Sequence, residues 1–252
     1  MKRTSIFFAT ALLLAGLHIA QAQGIRMGER AWYTIRGGLF VGLNQSFHNG
    51  DVPLLPTQEN SYYGDAGNTN LVFGVHGEKA VTRYVVLGVR AAFDQMSGEV
   101  EGNFTEPYRI ADDNGAVYTV NRDHAADYTL NYLSFGFYSK LYPMGGPGFF
   151  VLGGANLGAL LKGDFAHTAT ISEPDWARGS VSATQSGDIP DANNLRYALQ
   201  LGLGYDFFHR YGFVTPMLSY EFGLNPVSNA TYADSWNVNN LRLLIDLTFP
   251  IP

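Results

Sequence analysis

The sequence predicts an all-β protein, a closed antiparallel up-and-down transmembrane β-barrel of about eight strands. Three observations predict it. Long segments alternate apolar and polar residues with a period of two, charge keeps to one parity of that alternation, and short connections alternate with long ones. A period of two marks extended strands with one greasy and one polar face. A soluble sandwich shares that pattern. The charges and the connections select the barrel, in which lipid touches the apolar face and the polar face lines the lumen.

The beginning of the chain sets the compartment. Lys2 and Arg3 precede an apolar run over residues 6–20, and Ala20-Gln21-Ala22 closes it with small residues. This is the pattern of a secretory signal peptide over residues 1–22, and the run is short for a membrane anchor. Residues 23–252 then form a single outer-membrane β-barrel domain, since such barrels often exceed 200 residues undivided. The chain has no Cys, which excludes a lipoprotein anchor and a disulfide framework. No second long apolar run exists, so any crossing of a membrane is made by strands. Charged residues make up only 15% of the chain beside 29 Gly, 15 Tyr and 17 Phe, a balance suited to close-packed strands. Loss of Lys2 and Arg3 takes the net charge from −6 to −8.

The first strand, about residues 31–44, places Tyr33, Ile35, Leu39, Val41 and Leu43 opposite Arg36. A long polar connection follows over residues 45–70. The second strand, 71–78, sets Leu71, Phe73 and Val75 against His76 and Glu78. After a short turn, the third sets Val85, Leu87, Val89, Ala91 and Phe93 against Arg90 and Asp94. The connection over residues 97–127 holds a small hairpin about Asp112-Asp113-Asn114-Gly115, a tight-turn signal. Its arms are too short to cross a bilayer, so eight strands are preferred to ten.

The fourth strand ends with Leu133, Phe135, Phe137 and Leu141 against Ser134, Gly136, Tyr138 and Lys140. A turn over residues 143–148 leads to the fifth, with Phe149, Val151, Ala155, Leu157 and Leu161 opposite Asn156 and Lys162. Residues 163–194 form a third long connection. The sixth strand alternates without fault from Leu195 to Phe207, its polar side carrying Arg196, Gln200 and Asp206. The seventh carries Val214, Leu218, Tyr220, Phe222 and Leu224 against Thr215, Ser219 and Glu221. Pro216 lies within it. A closed ring has no edge to hide a missing N–H, so a bulge or local irregularity is expected there. The eighth strand, 239–249, sets Leu241, Leu243, Ile245, Leu247 and Phe249 against Arg242, Leu244 and Asp246.

Most of these strands supply the roughly 9–11 residues a tilted strand needs to cross a bilayer. Trp32, Tyr33, Tyr84, Tyr142, Phe149, Phe207, Tyr211 and Phe249 fall at strand ends beside short turns or termini, as an aromatic girdle would. The barrel-interior charges are Arg36, Glu78, Arg90, Asp94, Lys140, Lys162, Arg196, Asp206, Glu221, Arg242 and Asp246; the apolar parity carries none. On a lipid face a Lys or Arg costs roughly 2–4 kcal/mol at mid-membrane, which explains the segregation. The four long connections hold about sixteen acids against Arg109, Arg122 and Arg178, and such acidic loops exclude nucleic acid as a partner.

This pattern, segments such as Leu201-Gly-Leu-Gly-Tyr-Asp-Phe207, and a closing strand ending in Phe249 resemble the small Gram-negative outer-membrane β-barrel family, OmpA/OmpX-like with a porin-like β-barrel domain. The resemblance implies an outer-membrane location and contact with outer-membrane lipid. It also implies an assembly signal at Phe249, read by the barrel-assembly machinery. Pro250-Ile251-Pro252 follows that Phe, a departure from a strictly terminal signal. Fold alone does not fix function.

An eight-stranded barrel is just wide enough for side chains to fill it. Mixed interior charges call for pairing, so the expected function is a plugged, structural barrel whose long acidic outer loops meet an unknown extracellular ligand or support envelope integrity. The alternative is a narrow porin-like channel, using the space left by Gly38, Gly74, Gly88, Gly136, Gly202 and Gly204. A lipid-modifying or proteolytic barrel enzyme ranks below it. His76 in the wall and Asp123-His124 near the rim are the enzyme candidates, but no Gly-x-Ser-x-Gly or paired-His motif accompanies them. No enzyme activity and no cofactor is expected. Asp112 and Asp113 follow from turn chemistry without a metal.

Overall fold

The computed structural model describes residues 34–50, 52–53, 62–63, 66–111, 115–173, 179–209, 212–230 and 235–251. The leader expected over residues 1–22 lies outside them, as do Trp32, Tyr33, Asp112, Asp113, Asn114, Arg178 and Tyr211. The strands are β1 (Ile35–Asn49), β2 (Val52–Pro53), β3 (Tyr62–Tyr63), β4 (Ala66–Ala80), β5 (Val85–Gln95), β6 (Gly98–Ala111) and β7 (Val117–Leu141), followed by β8 (Phe149–Glu173), β9 (Val181–Asp188), β10 (Leu195–Tyr205), β11 (Phe207–His209), β12 (Gly212–Gly223) and β13 (Asn237–Pro250).

Eight of them close a ring in the order β1, β4, β5, β7, β8, β10, β12, β13 and back to β1, each neighbour antiparallel. The last strand pairs with the first from Arg36↔Pro250 to Asn49↔Asn237. Closure removes the free edge that an open sheet would present. The fold is thus the expected antiparallel eight-stranded barrel. The hairpin about Gly115 adds no pair to the ring, because β6 bonds to β7 and meets β4 only at Gly67↔Glu99.

Two of the expected long loops are mostly sheet. β7 and β8 each run 25 residues and stay paired from Leu141↔Val151 to Asn121↔Glu173. That is more than twice what a bilayer needs. β6 flanks this pair on one side and β9 on the other, so a twisted sheet rises beyond the barrel rim. Its sequence favours this, with β-branched runs such as Val117-Tyr-Thr-Val120 and Thr168-Ala-Thr-Ile171.

Register explains one further departure, at Lys162, and the form of the irregularity expected at Pro216. In β8, Asn131↔Lys162 is followed by Tyr132↔Leu160, so Leu161 is an extra residue in a β-bulge. The bulge inverts the parity of everything beyond it. Leu152 and Asn156 face the lumen below; Phe165 and His167 do so above. Lys162, expected inside, therefore points outward, its side chain 58% exposed and paired with Asp164. At Pro216 no register shift occurs. Met217 pairs Gly204 and Val214 pairs Phe207, and the ladder on that side lapses between them at the β10–β11 break. Pro216 keeps its partner Ile245 on the other side. The missing donor faces the lapse, which is how the ring tolerates a proline.

The apolar parity faces outward. Leu39, Phe73, Val89, Phe137, Leu201 and Leu243 are all exposed in the barrel wall, where acyl chains lie. Tyr84, Phe149 and Phe249 stand exposed at the end with the short turns, as a girdle requires. Tyr142 does not join them. It follows Leu141 on the inward parity and is buried in the lumen.

Candidate functional site

The lumen is filled in layers, and each layer follows from which strands bring inward positions to one height. Nearest the short turns lies a network about Glu78. Arg36 Nη2 is 3.1 Å from its Oε2, Lys140 Nζ contacts Oε1, and the Tyr138 hydroxyl donates to Oε1 at 2.9 Å. Lys140 also sits 4.8 Å above the Phe150 ring, and Arg36 lies 5.1 Å from the Phe213 ring centroid, so apolar rings cover the cations. Asp206 accepts from the Tyr142 hydroxyl at 2.7 Å and from Thr215 at 2.8 Å. Asp246 accepts from Thr248 at 3.0 Å and lies 3.4 Å from His76 Nδ1.

A second network centres on Glu221. Arg242 Nη1 is 2.8 Å from its Oε2, while Arg196 and the Asn156 amide donate to it as well. Arg242 also reaches Asp94 at 3.0 Å. Among the described residues Arg90 pairs with amides rather than a carboxylate, donating to Asn156 Oδ1 at 3.0 Å and to Gln200. Between the two networks lies an apolar layer that includes Phe40, Leu152, Met217 and Leu244. Above the second, a larger cluster of Met96, Tyr128, Leu130, Phe165, Val227 and Trp236 closes the outer mouth. The Trp236 indole donates to His48 Nδ1 at 3.1 Å and packs edge-on against Tyr128.

Glycines make this filling possible. A methyl group on Gly88 would sit 2.3 Å from Tyr138 Cζ, and one on Gly204 would sit 2.5 Å from Phe150. At Gly38 the obstacles are the His76 ring and the Leu247 carbonyl, and at Gly74 the Ala91 carbonyl and then the Phe40 ring. These positions make room for side chains rather than for water.

Of the residues expected inside, all but Lys162 are buried. Five bases (Arg36, Arg90, Lys140, Arg196, Arg242) face five acids (Glu78, Asp94, Asp206, Glu221, Asp246) in the described lumen. The formal charge there cancels. Alternation put Tyr138, Asn156, Gln200 and Thr215 on the inward parity but not as partners of the charges, and the cap Trp236 is the residue it missed. Trp236 shares its parity with Val238, Asn240 and Arg242, so extending the closing strand backward would have found it.

Two arrangements bear on chemistry. The chain Thr248 Oγ1, His76 Nε2 at 3.2 Å, and His76 Nδ1 to Asp246 has the connectivity of a hydroxyl, base and orienting acid. It is buried, and the space beside it, among Phe40, His76, Arg90, Tyr138, Lys140 and Asp246, measures about 10 Å³. No substrate carbonyl fits. His76, Glu78 and Asp246 also bring donor atoms within 4.8 Å of one another. Arg36 and Lys140 already hold Glu78, and a divalent ion between those cations would be repelled. Asp123 is exposed and His124 is buried above the rim, so the two do not act together.

Residues 21–229 match the model of a family described as the outer membrane protein β-barrel domain. A comparison with curated proteins finds no match. Among solved structures the chain is similar to Ail, the attachment invasion locus protein of Yersinia pestis solved with the heparin analogue sucrose octasulfate. The identity is 14%, covering 86% of this chain and 99% of that one, with a TM-score of 0.34. Neisserial surface protein A matches at 9% identity over 85% and 97% of the two chains, with a TM-score of 0.37. The Escherichia coli outer membrane protease OmpT matches at 8% over 86% and 97%, with a TM-score of 0.36.

Proposed function

Because the chain belongs to the outer-membrane β-barrel domain family, its place is the outer membrane, and we propose that it works there as a sealed, non-conducting, non-enzymatic barrel. In this reading the lumen is a core that holds the ring in shape, and the surface beyond the rim carries the function. That surface meets an extracellular ligand or supports envelope integrity. Outer-membrane lipid covers the apolar wall, and Phe249 presents the closing strand to the assembly machinery.

One observation carries the proposal. The space among Phe40, His76, Arg90, Tyr138, Lys140 and Leu244 is about 10 Å³, room for about one water molecule. Ions need a continuous wet path, and a selective pore is favoured by a lining of one sign. Here the charges alternate and hold one another. The acids that crowd the outer connections, such as Asp123, Asp127 and Asp188, are exposed and suit a cationic or polar partner.

Planar-bilayer recording of the refolded protein tests this. A flat baseline at moderate voltage is expected. Regular ohmic steps from the wild-type protein would replace the sealed barrel with the narrow channel.

A further inference from the structure

The sheet beyond the rim contains a polar pair that the lumen does not use. His124 of β7 and His167 of β8 sit on one face of the paired strands at diagonal positions, with registers His124↔Ala169 and Ala126↔His167. Both rings are buried. Nδ1 of His124 lies 3.1 Å from Nε2 of His167, the ring planes differ by 23° and the centroids are 5.3 Å apart. Below the pair lie Ala126, Tyr128 and Phe165 of the mouth cluster; above it Val120 packs on Ile171. The outward residues between the pair and the barrel wall include Asp127 and Asp164, so the pair stands clear of the bilayer.

We propose that His124 and His167 form a binding site for a first-row transition-metal ion, which clips β7 to β8 outside the membrane. Two imidazole nitrogens at about 2.0–2.1 Å from one ion stand roughly 2.9 Å apart in square-planar and about 3.3 Å apart in tetrahedral geometry. The observed 3.1 Å falls between. Without an ion the two nitrogens share one hydrogen, one ring donating to the other. For an ion to enter, each ring tilts about its Cβ–Cγ bond and coordinates as a neutral imidazole, with its proton on the other nitrogen. Two waters leave the hydrated ion and no net proton is released.

The surroundings favour neutral rings. Burial, then His124, then Arg122 lower the proton affinity of His167 below that of an ordinary imidazole. Arg122 opposes any cation as well, so the site selects an ion with high intrinsic affinity for nitrogen. Cu²⁺ heads that series. Because both strands are already paired from Leu141↔Val151 to Asn121↔Glu173, the ligands are held before the ion arrives. Binding then stabilises the outer sheet against local opening.

The test uses the full mature protein folded in detergent and titrated with Cu²⁺ alone. Electron paramagnetic resonance is expected to show one ion with coupling to two nitrogens. His124→Gln and His167→Gln should each weaken binding at least about tenfold, while His209→Gln leaves it unchanged. One equivalent of Cu²⁺ should also slow amide exchange at residues 122–126 and 166–169. Unaltered affinity in both variants overturns the site. If a variant fails to fold, the wild-type spectrum alone decides, since no bound ion, or fewer than two nitrogens, also overturns it.

Discussion

Arg242 of the closing strand reaches across the lumen to Asp94 of β5, with Nη2 and Oδ1 3.0 Å apart. β1 and β4 stand between those strands in the ring. The same guanidinium holds Glu221 of the neighbouring β12. One side chain therefore ties three strands that the backbone ladder joins only in sequence around the ring.

Glu221→Gln should expose how much that arrangement contributes. The variant keeps the shape but leaves Arg196, and part of Arg242, without a countercharge in a dry layer. Loss of one member of a buried pair typically destabilises by about 3–5 kcal/mol, less where water enters. Urea unfolding in detergent or liposomes reads this directly. An unchanged midpoint would mean that the network adds no net stability.

Lys140 and Lys162 make a matched pair, since strict alternation puts both inside. Lys140→Ala leaves Glu78 with Arg36 as its one paired cation in a buried site, and a loss of about 3–5 kcal/mol is expected. Lys162→Ala removes a surface ion pair with Asp164, and the change should stay below about 1 kcal/mol. Equal losses would argue that the bulge at Leu161 does not form in the membrane.

Ile245 and Leu244 report the two faces of the wall. Ile245 is 37% exposed, whereas Leu244 is 1% exposed within the apolar layer. Ile245→Arg places a charge against lipid and should cost roughly 2–4 kcal/mol and impair refolding. Ile245→Ala should cost less, because acyl chains close the gap. Leu244→Ala leaves a cavity that the lumen cannot collapse around, costing roughly 2–5 kcal/mol. Refolding yield and urea midpoints in liposomes distinguish these. Wild-type protein that folds and stays soluble without detergent or lipid would contradict the wall assignment itself.

Acid should loosen the outer sheet before the barrel. His167 binds its proton less readily when folded than the ordinary value of 6.5, chiefly through burial. The unfolded segment then takes up more protons as pH falls through 6.5, so the contribution of His167 is present above that pH and is lost below it. In metal-free protein, amides at 166 and 168 should exchange faster at about pH 5 than at about pH 7, relative to those of β10. His167→Gln should flatten the difference. A pH response that persists in the variant would assign it elsewhere.

The wall was legible because lipid enforces alternation without exception. Leu241, Leu243, Ile245 and Leu247 all face outward, and no charge violates that face from 239 to 249. The partners in the lumen were not legible. Alternation assigns Arg196 and Asp206 to the interior, yet Arg196 holds Glu221 and Asp206 holds Tyr142 and Thr215. Which residues share a height depends on the stagger between strands, and no single strand encodes it. The bulge was hidden because Leu160-Leu161-Lys162 reads equally well with the charge on either face. Above the rim the lipid constraint ends, so the length of β7 and β8 and the meeting of His124 with His167 left no periodic trace.

The Arg242 bridge also bears on the order of events in assembly. Until β13 lies between β12 and β1, Asp94 and Glu221 lack the guanidinium that holds them both. A sheet of seven strands therefore leaves Asp94 without its cation and has two open edges, and each discourages it from resting in the bilayer. Docking of the last strand removes both faults in one step. Completion of the ring thus serves as its own checkpoint, and a half-closed intermediate has no comfortable place to stop.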